Sequence, residues 1–299
     1  MLKKNILRII RAPKSLCIRI LIKYGKSIND KSYLKILYFL KTNKILNLSN
    51  PQTYNEKLQW LKLYNQHPEY TSLVDKITVK NYVSNIIGEK YIIPTIGVWE
   101  KFDDIDFSTL PNQFVLKCNH DSGGLVICKN KQKLNIQQAK IKINKSLKRN
   151  FFYICREYPY KNVHPKILAE SYLTDKSNEL KDYKIFCFNG IPQFIEVDFD
   201  RFSNHKRNLY STDWTLQNFE IEYPSDKYKN IEKPKCLKEM LNIAEKLSQG
   251  IPHVRVDLYV INDNIYFGEM TFFHGGGFEH FKPEIWNKKF GDLLKLPAK

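Results

Sequence analysis

HVRVDLYVINDNIYFGEMTFF, residues 253–273, reads as two strands of alternating character joined by a polar turn. Arg255, Asp257 and Tyr259 alternate with Val254, Val256, Leu258 and Val260, so one face is polar and the other buried. On the return strand Phe267, Glu269 and Thr271 share a face. A three-residue turn, Asn262-Asp263-Asn264, sets Asp257 opposite Glu269 and Arg255 opposite Thr271; a two-residue turn sends the two carboxylates to opposite faces. Two ionised carboxylates about 4 Å apart repel by roughly 4 kcal/mol at an effective dielectric near 20, so the paired arrangement calls for a cation. Hard oxygen ligands suit Mg²⁺ bridging the phosphates of a substrate. Taken alone, the stretch is equally an exposed hairpin with scattered charges.

A second stretch upstream, FVLKCNHDSGG at 114–124, is followed by LVICK. A strand delivers Lys117 into a Ser122-Gly123-Gly124 loop, and another strand leaves it. Glycines let backbone N–H groups approach phosphate oxygens, and a lysine adds a point charge. Between and around these stretches the chain alternates more coarsely. Asn50-Pro51 with Thr53 opens a helix through TYNEKLQWLKLYN, and a second helix, SLVDKITVKNYVSNII, ends near Gly88. From Tyr91 short apolar runs read as strands, residues 131–158 read as helical, and ILAESYL and DYKIFCFNGIPQFIEVDFD read as strands again. A helix through CLKEMLNIAEKLSQG then precedes the closing hairpin. Helices, strands, a helical insert and a mostly antiparallel set of strands make an α+β protein, not a repeating βαβ one.

The bulk properties narrow the class. With 299 residues the chain buries a real core, and no window is apolar enough to span a membrane. Cys17, Cys118, Cys128, Cys155, Cys187 and Cys236 form no C-x-x-C pair, which fits reduced thiols of a cytoplasmic protein. The first residues are basic and lack a small-residue cleavage site, so they do not read as a secretory signal. Net charge is +17. The lysine excess reads as dispersed, without the stripe of basic residues and stacking aromatics of a nucleic-acid binder. Composition bias and an anionic partner both account for it. Residues 1–26 alternate apolar and basic residues, as either a peripheral inner-membrane helix or a surface helix packed on the domain.

Three short motifs are decoys or competitors. Gly25-Lys26-Ser27 imitates a phosphate-binding loop but lacks the glycine five residues earlier, where Ile20 stands. His274-Gly275-Gly276-Gly277 imitates a lipase oxyanion loop without the required nucleophile elbow, and reads as a flexible turn. Asp198-Phe199-Asp200 follows an apolar strand, as does the metal-binding D-x-D of sugar-nucleotide glycosyltransferases; that makes a metal-dependent glycosyltransferase the alternative reading.

Taken in order, TYNEKLQWLKLYN, Val74-Asp75-Lys76 with Lys80 and Pro94, FVLKCNHDSGG, ILAESYL, DYKIFCFNG, RVDLYV and FGEMTFFHGGG resemble the TupA-like ATP-grasp family over about residues 50–291. That family occurs among bacterial cell-surface polysaccharide genes. The resemblance implies an ATP-grasp fold: two α+β subdomains sandwiching ATP, preceded by a helical region. It divides the chain into a basic helical segment (1–50), a pre-grasp region (51–112), a small lid-like subdomain (113–173) and a C-terminal subdomain with the metal-binding hairpin (174–299).

The same resemblance implies roles. Lys80 and Lys117 hold the nucleotide phosphates, and the loop of His120, Ser122, Gly123 and Gly124 closes over the γ-phosphate. The stretch with Glu170, Ser171 and Leu173 reads adenine through its backbone, while Asp182 and Lys184 approach ribose or phosphates. Asp257 and Glu269 ligate the metal. Thr271 stands where many relatives carry asparagine, a stronger oxygen ligand. Arg255 steadies the acyl phosphate. The implied activity is an ATP- and Mg²⁺-dependent carboxylate–amine ligase. Its substrates would be an amine and a carboxylated sugar, such as a uronic acid of a capsule, O-antigen or teichuronic-type polymer. Arg156, Arg201, His205, Arg207 and His274 are the candidates to face that acceptor.

Overall fold

The computed structural model describes residues 2–174, 182–200 and 204–298, with side chains from residue 13 onward. Two helices open it, α1 (Leu2–Tyr24) and α2 (Asp30–Thr42). The Asn29 side chain accepts from the Ser32 N–H at the start of α2, and Asn43 ends it in the left-handed region. Gly25-Lys26-Ser27 is a 3₁₀ turn between these helices, not a phosphate loop. The helix entry at Thr53 is a full capping box: Thr53 and Glu56 satisfy each other's backbone N–H at the start of α3 (Tyr54–Tyr64).

The expected second helix breaks in two, α4 (Tyr70–Val74) and α5 (Val79–Ile87). Asp75 leaves helical geometry, and its carboxylate accepts the Ile77 N–H at 2.9 Å, offering the backbone a local alternative to the helix. That break carries Lys76.

Four strands, β1 (Thr95–Trp99), β2 (Phe114–Cys118), β3 (Leu125–Cys128) and β4 (Ile167–Ser171), make a small antiparallel sheet in the order β1-β4-β2-β3. Phe114, Leu116 and Cys118 point into a core shared with Ile143 of α6 (Ile136–Leu147), so Lys117 lies on the opposite, open face. The segment expected to be helical from 131 to 158 holds α6 and a short α7 (Phe152–Cys155), separated by an Asn150 turn.

A larger sheet follows. It comprises β5 (Asp182–Phe188), β6 (Ile191–Phe199), β7 (Lys206–Ser211), β9 (His253–Ile261) and β10 (Asn264–Thr271), ordered β10-β9-β5-β6-β7 with every pair antiparallel. Two short strands, β8 (Glu220–Ile221) and β11 (Phe281–Lys282), pair separately. Helix α8 (Leu237–Ser248) covers one face of the larger sheet, where Ile185, Cys187, Val254, Val256 and Leu258 are fully buried. Helix α9 (Ile285–Leu293) packs on α3. The helical first fifty residues are not an appendage: Leu21, Tyr33, Leu34, Leu37 and Tyr38 belong to the same core as the larger sheet.

The closing hairpin reaches the expected pairing by an unexpected route. Its turn has two residues, Asn262 and Asp263, both at positive φ, and Ile261 pairs with Asn264. That turn alone would separate the acids. A bulge at Gly268 shifts the register by one, so Asp257 faces Glu269 and Arg255 faces Thr271.

Arg156, expected to face substrate, is instead a structural clamp. It is 1% exposed, pairs with Asp30 at 2.9 Å, donates to the Gly25 carbonyl at 2.7 Å and lies 4.0 Å over the Tyr33 ring. Its place at the end of α7, against the α1–α2 connection, fixes it in the core. Arg156→Met is expected to cost about 2–3 kcal/mol in denaturant unfolding, through lost hydrogen bonds and lost stacking, with nucleotide affinity unchanged in the folded protein.

Candidate functional site

Between the small sheet and the polar face of the larger one runs a cleft of about 570 Å³. From one side it is lined by Lys76, Lys117, Asp121, Ser122 and Gly124, and from the other by Asp182, Lys184, Arg255, Asp257, Tyr259 and Glu269. Strand parity explains the second set: Arg255, Asp257 and Tyr259 alternate on β9, and Lys184 and Asp182 lie beside Asp257 and Tyr259 on β5.

On the small-sheet wall, Glu170 is the shared counter-ion of two lysines. It is 4% exposed, 2.5 Å from Lys117 and 2.6 Å from Lys80. Lys80 also donates to the Ile93 carbonyl at 2.8 Å and the Thr95 hydroxyl at 2.7 Å. Burial raises the Glu170 carboxyl, but Lys117 and Lys80 outweigh it and hold it below its usual range. Burial also lowers the Lys80 ammonium, against the pull of Glu170. Two ammonium groups and one carboxylate leave the wall positive. The neighbouring Ser171 spends its N–H on the Pro94 carbonyl at 3.1 Å; Leu173 is half-buried just before an undescribed stretch, and neither lines the cleft.

The glycine loop is organised by a residue that motif reading passed over. Asp121, 3% exposed, accepts the N–H groups of Gly124 at 2.9 Å and Gly123 at 3.2 Å, the Ser146 hydroxyl, and Arg149 at 2.8 Å. Burial raises its carboxyl, but Ser146, the Gly124 amide, His120 and Arg149 outweigh it and keep it below the usual range. The loop amides expected to meet phosphate are therefore engaged by Asp121 in this structure. Only glycine fits at 124, where a Cβ would meet the Cys118 Sγ at 2.5 Å and the Ser146 Oγ at 2.6 Å. His120 turns away from the cleft: it is 2% exposed and bonds the Ser146 carbonyl at 3.2 Å. The Lys76 ammonium donates to the Asp121 carbonyl at 2.8 Å and stands 3.8 Å from Glu269, so it links the loop to the far wall. Sequence reasoning used Lys76 only as a signpost.

On the larger sheet, Arg255 grips Asp257 with two bonds of 2.7 and 2.6 Å and reaches the Thr271 hydroxyl at 3.3 Å. Thr271 donates to Glu269 at 3.2 Å. Burial, with Asp182 and Glu269 nearby, pushes the Asp257 carboxyl up to about 8 despite Arg255. Asp257 and Glu269 face each other on neighbouring strands, and Arg255 is the cation that this face already sets beside Asp257. Among the described residues no group of three or more His, Cys, Asp or Glu is set around one metal position. A metal ion held here would draw on Asp257 and Glu269 with Thr271. That set fits an ion that takes one or two carboxylates and fills its other positions with phosphate oxygens and water.

These elements and their order have a counterpart among known families. A family model described as TupA-like ATPgrasp matches residues 56–295. The chain belongs to the TupA-like ATP-grasp family. Among solved structures, the D-alanine–D-alanine ligase of Bacillus anthracis with ATP is 16% identical, covering 85% of this chain and 70% of that one, with a TM-score of 0.40. The D-alanyl-alanine synthetase A of Vibrio cholerae O1 biovar eltor is 11% identical, covering 73% and 63%, TM-score 0.43. The ATP-grasp ligase PsnB with minimal precursor, Mg and ADP is 9% identical, covering 80% and 66%, TM-score 0.39. No curated protein matches. At such scores the family match carries the assignment, and the mixed helix-and-sheet architecture is that of the ATP-grasp fold.

The remaining candidates of this ATP-grasp protein separate clearly. His205 and Arg207 line the cleft; Arg207 bonds Asp198 at 2.9 Å and the Ile221 carbonyl at 3.0 Å, and His205 bonds Asp198 at 3.0 Å. His274 does not line it: 3% exposed, it stands behind, 2.9 Å from Glu279 and 3.4 Å from Glu196. Its glycine turn, with Gly275, Gly276 and Gly277 all at positive φ, is structural and receives Lys62 and Gln59 on its carbonyls. Arg201 lies outside the described residues. Tyr223 and Glu279, which line the same end, were not picked out from sequence; Glu279 sits just past the HGGG motif, but Tyr223 carries no local signal.

Asp198 does not behave as a D-x-D ligand. Lys184, His205 and Arg207 all hold it. Burial raises its carboxyl, but Lys184 and Arg207 outweigh that and drive it far below the usual range. Its charge thus stabilises the fold above the unfolded carboxylate pKa near 4, and that contribution is lost as pH falls below it. Asp198→Asn is expected to cost about 2–4 kcal/mol at pH 7. Urea unfolding between pH 7 and pH 3 should show a flatter pH dependence in the variant than in the parent.

Proposed function

We propose that this ATP-grasp protein is an ATP- and Mg²⁺-dependent ligase joining an amine to a carboxylate. The observation that carries the proposal is the single cleft. It has Lys117 on one wall, with Lys80 behind Glu170 beside it, and the acid pair Asp257 and Glu269 on the other.

A carboxylate is a poor electrophile because its leaving group would be oxide. Transfer of the γ-phosphoryl group of ATP to the carboxylate oxygen gives an acyl phosphate and ADP; amine attack then forms the amide and releases phosphate. Lys80 and Lys117 are suited to hold the phosphates from the small sheet, and Asp257, Glu269 and Thr271 to hold the metal. When bound, Mg²⁺ neutralises charge on the transferring phosphoryl group. Arg255, fixed against Asp257 on the floor of the cleft, is placed to steady the acyl phosphate and the tetrahedral species that follows. Closure of the Asp121-organised loop would keep water from the acyl phosphate.

The carboxylated partner is assigned to the end of the cleft lined by His205, Arg207 and Tyr223. We read it as a uronic acid of a surface polysaccharide, with an amino acid or similar amine as the second substrate. Polysaccharide assembly and a cytoplasmic location belong to this same reading. They draw on the family's setting and on the reduced-thiol composition.

Purified protein is expected to release ADP and phosphate only when ATP, Mg²⁺, an amine and a uronic acid are all present. Lys117→Ala and Glu269→Ala should each lower that turnover at least about 100-fold, with melting temperature within a few degrees of the parent. Unchanged turnover in either variant removes that residue from the site. Stabilisation by UDP-sugars and not by Mg-ATP in a thermal-shift panel would replace the ligase with the glycosyltransferase.

A further inference from the structure

By position the positive charge is uneven. Residues 1–50 hold twelve Lys and Arg against one acidic residue, Asp30, so one sixth of the chain supplies eleven of its seventeen net charges. Exposed apolar side chains gather in the same region. Of the fifteen large hydrophobic residues exposed among the described ones, six lie between Leu16 and Ile45.

The geometry of α1 accounts for the pairing of these features. Leu21 is buried and Ile18 packs on the core, which turns the opposite side of the helix outward. Leu16, Ile20 and Tyr24, spaced by four, lie on that outer side at 56%, 49% and 67% exposure, with Arg19 and Lys23 exposed beside them. In the sequence the same spacing of three and four continues upstream through Leu2, Ile6, Ile9 and Pro13. Arg19, Lys23, Lys31 and Lys35 have no acidic partner among the described residues. Lys14 ties α1 back to Asn43 at the end of α2, making the two helices one hairpin.

An apolar ridge flanked by unpaired cations fits a surface that is apolar beneath and anionic at its boundary. A bilayer with acidic headgroups has that order: the ridge enters the acyl boundary and the cations meet the phosphates. An acidic protein would need a groove shaped to a convex helix, and three of the four unpaired cations are lysines, which offer no bidentate geometry to select one. We propose that the α1–α2 hairpin docks the protein on an anionic lipid bilayer. The proposal stands apart from the ligase chemistry, since none of these residues lines the cleft.

The test is co-flotation of the full chain with phosphatidylcholine vesicles, with and without about 30% phosphatidylglycerol. Binding is expected to the anionic vesicles alone, and to fall steeply between about 0.05 and 0.5 M salt. The double variant Leu16→Ser with Ile20→Ser should bind at least about tenfold more weakly, and Arg19→Glu with Lys23→Glu similarly, at roughly fivefold per charge lost. Parental melting temperatures would show that both variants fold, as their exposure predicts. Three results would overturn the proposal. One is absence of binding by the folded parent. Another is binding that both variants retain in full. The third is a concentration-dependent dimer lost in Leu16→Ser with Ile20→Ser and no vesicle binding, which would make the ridge a protein interface.

Discussion

One unpaired residue, Gly268, decides which way the last strand presents its acid. Strand parity is strict, so the two-residue turn at Asn262-Asp263 would by itself place Glu269 on the face opposite Asp257. The bulge at Gly268 restores the face. A side chain there would crowd the Asp257 carbonyl at 3.0 Å and the Tyr259 ring at 3.1 Å. Glu269 thereby joins a polar face that the pairing of the other four strands sets. Lys184 meets Asp257 and Glu196, Asp182 meets Tyr259, and Arg207 meets Asp198 across successive strands. Lose the bulge, and the only acid on β10 leaves this face.

A second constraint follows from placing so many charges together. Each wall of the cleft carries its own counter-ions: Glu170 for Lys80 and Lys117, Arg255 for Asp257, and Glu196 with Asp198 for Lys184. An unpaired buried charge costs several kcal/mol, and internal pairing of this kind offsets that cost on both walls. In the proposed reaction a triphosphate and its metal would exchange partners with these groups instead of meeting bare charges. In that reaction the lysine wall would meet the phosphates and the acid pair the metal. The same pairing explains why the glycine loop holds its amides on Asp121: a small buried acid keeps the loop ordered until another anion competes for those donors.

What the sequence disclosed, and what it hid, divides along physical lines. Thr53 and Glu56 were legible as a helix start because a capping box is a contact between residues three apart. Lys117 and the alternation on β9 were legible because a face follows from parity. The pairing of Asp257 with Glu269 was foreseen from a three-residue turn. It is produced by a two-residue turn and a bulge, and a glycine in a strand was the available sign of one. Counter-ions were not legible. Glu170, 53 residues from Lys117 in sequence, meets it only because β2 and β4 are neighbours. Arg156 and His274 look like substrate ligands in sequence because a charged residue is exposed by default. Only tertiary packing reveals the Asp30, Tyr33 and Glu279 that hold them. β7, which carries Arg207, has an ordinary strand length, but KRNLYS holds only Leu209 and Tyr210 as apolar residues, side by side, and so lacks the alternation of a strand signal.

The N-terminal hairpin is joined to the cleft through a short, stiff path. Tyr33 of α2 donates to the carbonyls of Tyr153 and Ile154, and Asp30 holds Arg156, so α2 fixes the segment 153–156. Four residues on, half-buried Tyr160 packs against the core, and its hydroxyl is pushed well above its usual range, first by desolvation and then by Glu157, Glu269 and Asp257. The turn holding Tyr160 packs on α4, whose end delivers Lys76 to the glycine loop. These contacts are part-buried hydrogen bonds, one ion pair and the packing of short helical turns. Any surface that seats the α1–α2 hairpin therefore also fixes the direction in which the cleft opens.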